Sequence, residues 1–291
     1  MVHSREATLA ALAAIALWGS LAWLSLKLAA WPPFFLLGCA LAIGAFPALP
    51  RIRDWRVPLR TLALGVYGLF GFHFFLFIAL RNAPAVEANL INYLWPLLIV
   101  FLAPVLLVGY RLRAQHVVGA MMGFAGAALL VGQDLQGGRF AIGYVFALVS
   151  ALIWSSYSLW TKRVPPFATA AIGLFCVAAS LLAFACHWAW GPQFIPPASD
   201  FGYLLTMGLG PMGAAFFLWD YALKHGDPRR LGALAYLAPV LSTALLIATG
   251  RGVLSVRIGV AAALVVSGAA LAAREPSRDD EKLARMHPID K

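Results

Sequence analysis

Charged side chains are too scarce in this sequence for a protein that must coat itself in water. They make up 12% of the 291 residues, while 62% are apolar. A soluble domain carries about 25% charge. The scarcity excludes an ordinary soluble fold and leaves no length for a separate soluble domain. Cysteine is nearly missing as well. Cys39, Cys176 and Cys186 lie inside apolar blocks without metal-ligand spacing, which argues against a disulfide framework or a zinc site. No metal and no cofactor is expected. No acidic pair stands within an apolar block, so a tightly bound cation is not encoded. No Lys or Arg stands in mid-block, which disfavours a phosphorylated substrate. Neither G-x-S-x-G nor a paired-Asp constellation is present, so an intramembrane enzyme is not expected.

What is present is a series of long apolar blocks, at about 6–26, 34–50, 61–80, 85–109, 116–132, 141–161, 168–190, 201–223, 230–250 and 254–273. A spanning helix needs roughly 20 apolar residues, so the expected fold is all-α, an integral membrane protein with ten transmembrane helices. The first block is long for a signal peptide and is followed by Lys27 and a Pro-Pro pair, so it reads as a span. The net charge is +10, but the basic residues sit in short runs between blocks. That pattern sets membrane orientation rather than nucleic-acid binding. With a cytoplasmic N-terminus, 17 Lys and Arg fall inside and 5 outside. Both termini are therefore expected in the cytoplasm, with a charged tail over 274–291. The expected partners are membrane lipid and a small-molecule substrate, with no nucleic acid, and the expected state is a monomer.

The sequence repeats itself. ALAAIALWGSLAWLSLK (Ala11–Lys27) parallels ALVSALIWSSYSLWTKR (Ala147–Arg163), with Trp18 and Trp154 at the eighth position of each. ALRNAPAVEANLINYLWP (Ala79–Pro96) parallels ALKHGDPRRLGALAYLAP (Ala222–Pro239) without a gap. The units are residues 6–132 and 141–273. Each holds five helices, and an odd number forces the second to insert upside down. Two inverted five-helix repeats around a central cavity are the architecture of many secondary transporters, with the substrate near the midplane.

Polar groups in hydrocarbon are costly, so those inside the blocks are expected to face the bundle interior. Asn89, Asn92, Tyr93 and Pro96 share one face of the fourth helix, and Pro96 frees a carbonyl near Asn92. That face suits a small polar ligand; interhelical hydrogen bonding is the plainer alternative. The ninth helix repeats the kink with Tyr236 and Pro239, but alanines and Gly232 replace the amides. Trp18 and Trp154 lie in mid-helix, where facing indoles either clamp an apolar side chain or pack as core. Ser158 and Thr161 share the face of Trp154. His73 shares a face with Phe70 and Phe77, and its repeat counterpart is Phe216. An intramembrane ionisable group is a functional candidate by default, so His73 and Glu87 are the candidates for proton coupling. Asp220, four residues before Lys224, reads as an i,i+4 ion pair. Gly65, Gly68 and Gly71, and in the second unit Gly208, Gly210, Pro211 and Gly213, allow close packing; Gly208 and Pro211, with Pro96 and Pro239, are the expected bending points.

The paired Trp helices and the Tyr-Leu-x-Pro segments resemble the drug/metabolite transporter superfamily, and more narrowly its EamA-type ten-helix members. The run EANLINYLWPLLIVFLAP (Glu87–Pro104) is similar to exporters of aromatic amino acids in that superfamily. The resemblance covers about residues 7–273. It implies a basket-like fold with a central cavity, alternating access, and export of amino acids from the bacterial cytoplasm across the inner membrane, with aromatic and other neutral or apolar ones favoured. It places Trp18, His73, Asn92, Tyr93, Trp95, Trp154 and Tyr236 around the cavity. The alternative is export of another small metabolite or drug, such as a purine, a sugar or a toxic compound.

Overall fold

The computed structural model describes residues 2–131, 141–251 and 253–273. The expected tail over 274–291 lies outside the described residues, as do Gly132 and Arg139. Among the described residues every regular element is helical. Nine segments of the described residues are long and apolar enough to cross a membrane. In chain order they are span 1 (Arg5–Lys27), span 2 (Pro33–Trp55), span 3 (Leu59–Asn82), span 4 (Glu87–Leu106), span 6 (Ile142–Trp160), span 7 (Thr169–Trp190), span 8 (Ala198–His225), span 9 (Pro228–Ala248) and span 10 (Val256–Ala273). Span 5 is the shorter apolar stretch Ala114–Leu129 of the helix Ala114–Val131. The bilayer dictates this choice of element, because a helix satisfies its backbone groups internally where no water is at hand.

The packing pattern repeats when the halves are exchanged. Span 2 packs on span 7 and span 5 on span 10, each pairing equivalent elements. Span 6 packs against spans 3 and 4, and span 1 against the equivalent spans 8 and 9. Spans 4 and 9 meet directly. The closest approach is made where side chains are smallest. A Cβ on Gly119 of span 5 would sit 2.5 Å from the Gly268 carbonyl of span 10, and a Cβ on Gly268 would sit 2.5 Å from the Gly119 carbonyl. Dispersion between backbones at that range binds helices where lipid supplies no hydrophobic drive.

Three local features are not visible in the hydropathy pattern. Span 2 continues beyond its α-helix as a 3₁₀ segment, Phe46–Trp55, where Pro47 and Pro50 interrupt the α pattern. Spans 3 and 8 each contain one π-helical segment, Tyr67–Gly71 and Gly210–Ala214. The two occupy the same register of the repeat, 143 residues apart. Single π turns inside α-helices concentrate at functional sites.

Candidate functional site

Spans 4 and 9 are each broken at a tyrosine. Span 4 consists of helices Ala85–Asn92 and Trp95–Leu106, separated at Tyr93 and Leu94. Span 9 consists of Pro228–Ala235 and Leu237–Ala248, separated at Tyr236. Proline causes both breaks, since Pro96 and Pro239 have no N–H to return to the preceding turn. Each proline lies in the first turns of the second helix, so the result is an interruption rather than a bend. The two breaks cross. A Cβ on Gly232 would sit 2.8 Å from the Pro96 carbonyl, so only glycine fits there without displacement. The Tyr236 hydroxyl donates to the Tyr93 carbonyl at 3.0 Å. In an unbroken helix the Leu97 N–H would bond that carbonyl. The hydroxyl of span 9 thus serves the carbonyl left at the gap in span 4.

Beside this crossing lies an aromatic cluster drawn from five spans. Trp18 of span 1 meets Trp95, Trp154 and Trp219 at centroid distances of 6.2, 5.8 and 5.3 Å. Trp95 lies 6.3 Å from Trp154 and 5.8 Å from Trp219. Phe72 and Phe216 pack on Trp154 at 5.3 and 5.8 Å. These edge and tilted contacts suit the ring quadrupoles. Trp18 donates to the Pro211 carbonyl in the π turn at 3.2 Å, and Trp219 donates to Ser158 Oγ at 3.3 Å. Ser158 is fully buried and serves that indole. Trp219 and Phe72 escaped the sequence reading. The criterion that picked Trp18 and Trp154, a tryptophan in mid-helix, passes over Trp219, which lies four residues from the end of the expected block 201–223.

The polar groups reach this cluster from spans 3 and 4. Asn92 is buried, and its Oδ1 accepts from Ser150 of span 6 at 3.2 Å. Ser150 Oγ also lies 3.0 Å from the Phe72 carbonyl, so its single proton is shared between the two acceptors. With Oδ1 engaged, the Asn92 amide offers its two N–H donors, and Pro96 has no N–H for the Asn92 carbonyl. His73 Nδ1 lies 2.6 Å from the Leu69 carbonyl. A carbonyl only accepts, so Nδ1 carries a proton, and in the neutral ring Nε2 is an acceptor. The ring stands edge-on to Phe72 at 4.9 Å and to Phe216 at 6.4 Å. Glu87, at the start of span 4, accepts from the Tyr144 hydroxyl of span 6, away from His73. The structure therefore brings Trp18, His73, Asn92, Trp95, Trp154 and Ser158 into one neighbourhood and joins Tyr93 to Tyr236 at its edge. Asn89 lies one turn before Asn92, half-buried. Pro211 enters through its carbonyl. Gly208 packs on Ile43 of span 2, 2.6 Å from a would-be Cβ. Among the described residues no three His, Cys, Asp or Glu side chains converge as a metal would require.

Accessibility divides the repeat. Trp18, His73, Asn89 and Tyr93 are each half-buried. Their second-half counterparts are sealed: Trp154 is 4% exposed, Phe216 5% and Tyr236 0%, and Gly232 is buried. On the side away from Asn89, charged groups staple the loops. Asp220 pairs with Lys224 at 2.6 Å and accepts from Thr169 at 2.7 Å, and Lys224 reaches the Phe167 carbonyl at 2.9 Å. Asp227 caps span 9 through Arg229 N at 2.9 Å. The Arg229 guanidinium pairs with Asp227 at 2.6 Å and donates to the Arg111 carbonyl. Burial pushes the Asp227 carboxyl up, but the hydrogen bonds and charge of Arg229 outweigh it, leaving the pKa below its ordinary value. Burial lowers the pKa of Lys162 nearby, against the pull of Asp227.

Comparison with known proteins matches this architecture. The EamA-like transporter family matches residues 5–132 and 141–274. The chain is 42% identical over 278 residues to the aromatic amino acid exporter YddG of Ancylobacter novellus, covering 92% of this chain and 96% of that protein. It is 28% identical to the aromatic amino acid exporter YddG of Salmonella typhimurium, covering 83% and 88% of the two chains. A solved structure, described only as the crystal structure of a protein, superposes with a TM-score of 0.86 at 41% identity, covering 92% and 96% of the two chains.

Proposed function

The chain belongs to the EamA-like transporter family, a multi-pass membrane transporter rather than an enzyme, and from that premise we propose that it exports amino acids by alternating access, favouring aromatic and other apolar side chains. The observation that carries the reading is the ring cluster beside a proline-broken, amide-bearing span. A zwitterion needs a donor pair for its carboxylate and acceptors for its ammonium, without a fixed net charge in the membrane. The Asn92 N–H donors suit the carboxylate. The Asn92 carbonyl, Asn89 and His73 Nε2 suit the ammonium. Trp18, Trp95, Trp154 and Tyr93 suit an aromatic side chain through edge and face contacts. Relatives named as exporters of aromatic amino acids support the same substrate class.

The divided accessibility supports alternating access. In an inverted repeat, exchanging the conformations of the halves converts one open state into the other. Here Trp18, His73, Asn89 and Tyr93 of the first half are half-buried, while their second-half counterparts are sealed. The 17-to-5 distribution of basic residues supports cytoplasmic termini in a bacterial inner membrane. On that reading the present state opens outward, away from the staples of Asp220 and Asp227. Glu87 and His73 remain the candidates for a coupled proton.

The test is exchange in proteoliposomes of the full-length protein preloaded with labelled phenylalanine. Saturable exchange is expected, with phenylalanine, threonine and methionine competing and a purine or a sugar not competing. Failure to exchange any amino acid, or stronger competition by the purine or sugar, would overturn the reading. Repeating the assay with a proton gradient tests the coupling groups: accumulation against a substrate gradient is expected only if one of them carries a proton.

A further inference from the structure

Away from the central cluster, a groove of about 470 Å³ opens between the start of span 3 and the end of span 6. Its volume falls in the ~300–1,000 Å³ range of small-molecule sites. Arg60, Leu64 and Tyr67 line one wall, at helical spacing on one face of span 3. The opposite face of that helix is turned to the core, with Thr61 fully buried. Trp160, Arg163 and Val164 line the other wall. Tyr67 and Trp160 rings stand 5.9 Å apart, and the Tyr67 hydroxyl is fixed by Ser156 at 2.8 Å.

Two features identify what fits. Arg60 and Arg163 are exposed, and among the described residues neither guanidinium has an ion pair or a hydrogen bond. Two uncompensated guanidiniums at one groove are complementary to a phosphate, which each can bind through a planar fork. The groove also lies at span ends, where headgroups sit. Its lip is apolar, with Leu59 80% exposed beside it, and Trp160, 37% exposed, occupies the depth that interfacial tryptophans favour. A free anion would gain nothing from the apolar wall and the exposed leucine. A phospholipid uses both.

We infer that this groove is a binding site for an anionic phospholipid, its phosphate held between Arg60 and Arg163 and its glycerol and first acyl carbons against Leu64, Tyr67 and Trp160. Such a lipid would tie span 3, which carries His73 and a π turn, to span 6, which carries Trp154. The inference is independent of the substrate assigned above.

The experiment is native mass spectrometry of the full-length protein released from nanodiscs containing phosphatidylglycerol and phosphatidylcholine with matched acyl chains. Wild type is expected to retain phosphatidylglycerol ~30-fold over phosphatidylcholine, the order expected from two basic contacts to an anionic lipid. R60Q/R163Q is expected to lose that preference, and R51Q/R53Q, on the same side of the protein, to keep it. The thermal unfolding midpoint of R60Q/R163Q, measured in parallel, reports that the variant is folded. Equal retention of the two lipids by wild type would overturn the inference, as would an unchanged preference in R60Q/R163Q. Displacement of the lipid by millimolar inorganic phosphate would assign the groove to a free anion, and displacement by phenylalanine would make it a substrate vestibule. Either result would overturn the lipid assignment.

Discussion

Spans 4 and 9 are built to one plan and differ in what fills it. Each has an eight-residue helix, a break at a tyrosine, a twelve-residue helix, and a left-handed glycine beyond its end, Gly109 and Gly250. Span 4 carries Asn89, Asn92 and Trp95 where span 9 carries Gly232, Ala235 and Ala238. Span 9 is the supporting partner: its glycine admits the Pro96 carbonyl and its tyrosine serves the carbonyl left at the gap in span 4. The repeat thus supplies a symmetric scaffold, and on the proposed reading side-chain differences assign binding to one half and bracing to the other.

The sharpest way to break this comparison is Gly232→Val. A side chain there meets the Pro96 carbonyl within van der Waals distance, and overpacking of this kind costs about 1–3 kcal/mol. Exchange should be abolished and thermal unfolding lowered, while Asn89→Val at the equivalent position should fold normally. Normal exchange by the Gly232 variant would mean that the crossing is not needed. Next is Asn92→Ala, which removes the amide donors proposed to hold the substrate carboxylate. A hydrogen bond to a charged group is worth about 1.5–3 kcal/mol, so half-saturation for phenylalanine should rise ~10–100-fold. Ala235→Asn in the same chain should not restore it if binding belongs to span 4.

A smaller effect should separate the two tyrosines. Tyr236→Phe removes the hydroxyl that serves the span 4 carbonyl in the present state, a loss of about 0.5–1.5 kcal/mol. The state should become ~2–10-fold less populated, read as slower alkylation of a cysteine placed by N89C. Tyr93→Phe should shift alkylation the other way, because exchange of the repeats would give its hydroxyl the equivalent role in span 9. Equal effects of the two substitutions would refute that reciprocity.

The smallest effect concerns the caps. Asp227 caps span 9, and its equivalent in span 4 is Pro84, with no side-chain cap. The folded Asp227 pKa lies below its ordinary value. Its contribution is therefore present above an unfolded pKa of about 3.9 and is lost as pH falls through the folded pKa. Asp227→Asn should unfold at a lower temperature than wild type near neutrality, and the two curves should converge in acid. A gap that persists in acid would assign the stabilisation to something other than the carboxylate.

Much of this was legible in the sequence. Hydropathy located all ten spans within a few residues, because a bilayer imposes length and apolarity directly. The aligned segments ending at Pro96 and Pro239 marked the broken helices, because proline acts through covalent structure. The Asp220–Lys224 pair followed from spacing alone. The π turns were not legible, since the glycines and Pro211 permit one without requiring it. Trp219 was passed over because it lies near the end of its apolar block, where a tryptophan reads as an interfacial residue. The bridge from Tyr236 to Tyr93 spans 143 residues, and no local pattern records it.

The sequence by itself determined the solvent, the number of spans, the repeat and the position of each break, all consequences of apolar length and backbone chemistry that act locally. Only the tertiary structure decided that Trp18, Trp95, Trp154 and Trp219 meet, that Asn92 turns its donors free by giving its oxygen to Ser150, and that one tyrosine is sealed while its twin is accessible. Those outcomes depend on which helices touch and in which state. On the proposed alternating-access reading, inverted repeats make two such arrangements available to one sequence, so the asymmetry belongs to the fold in its present conformation.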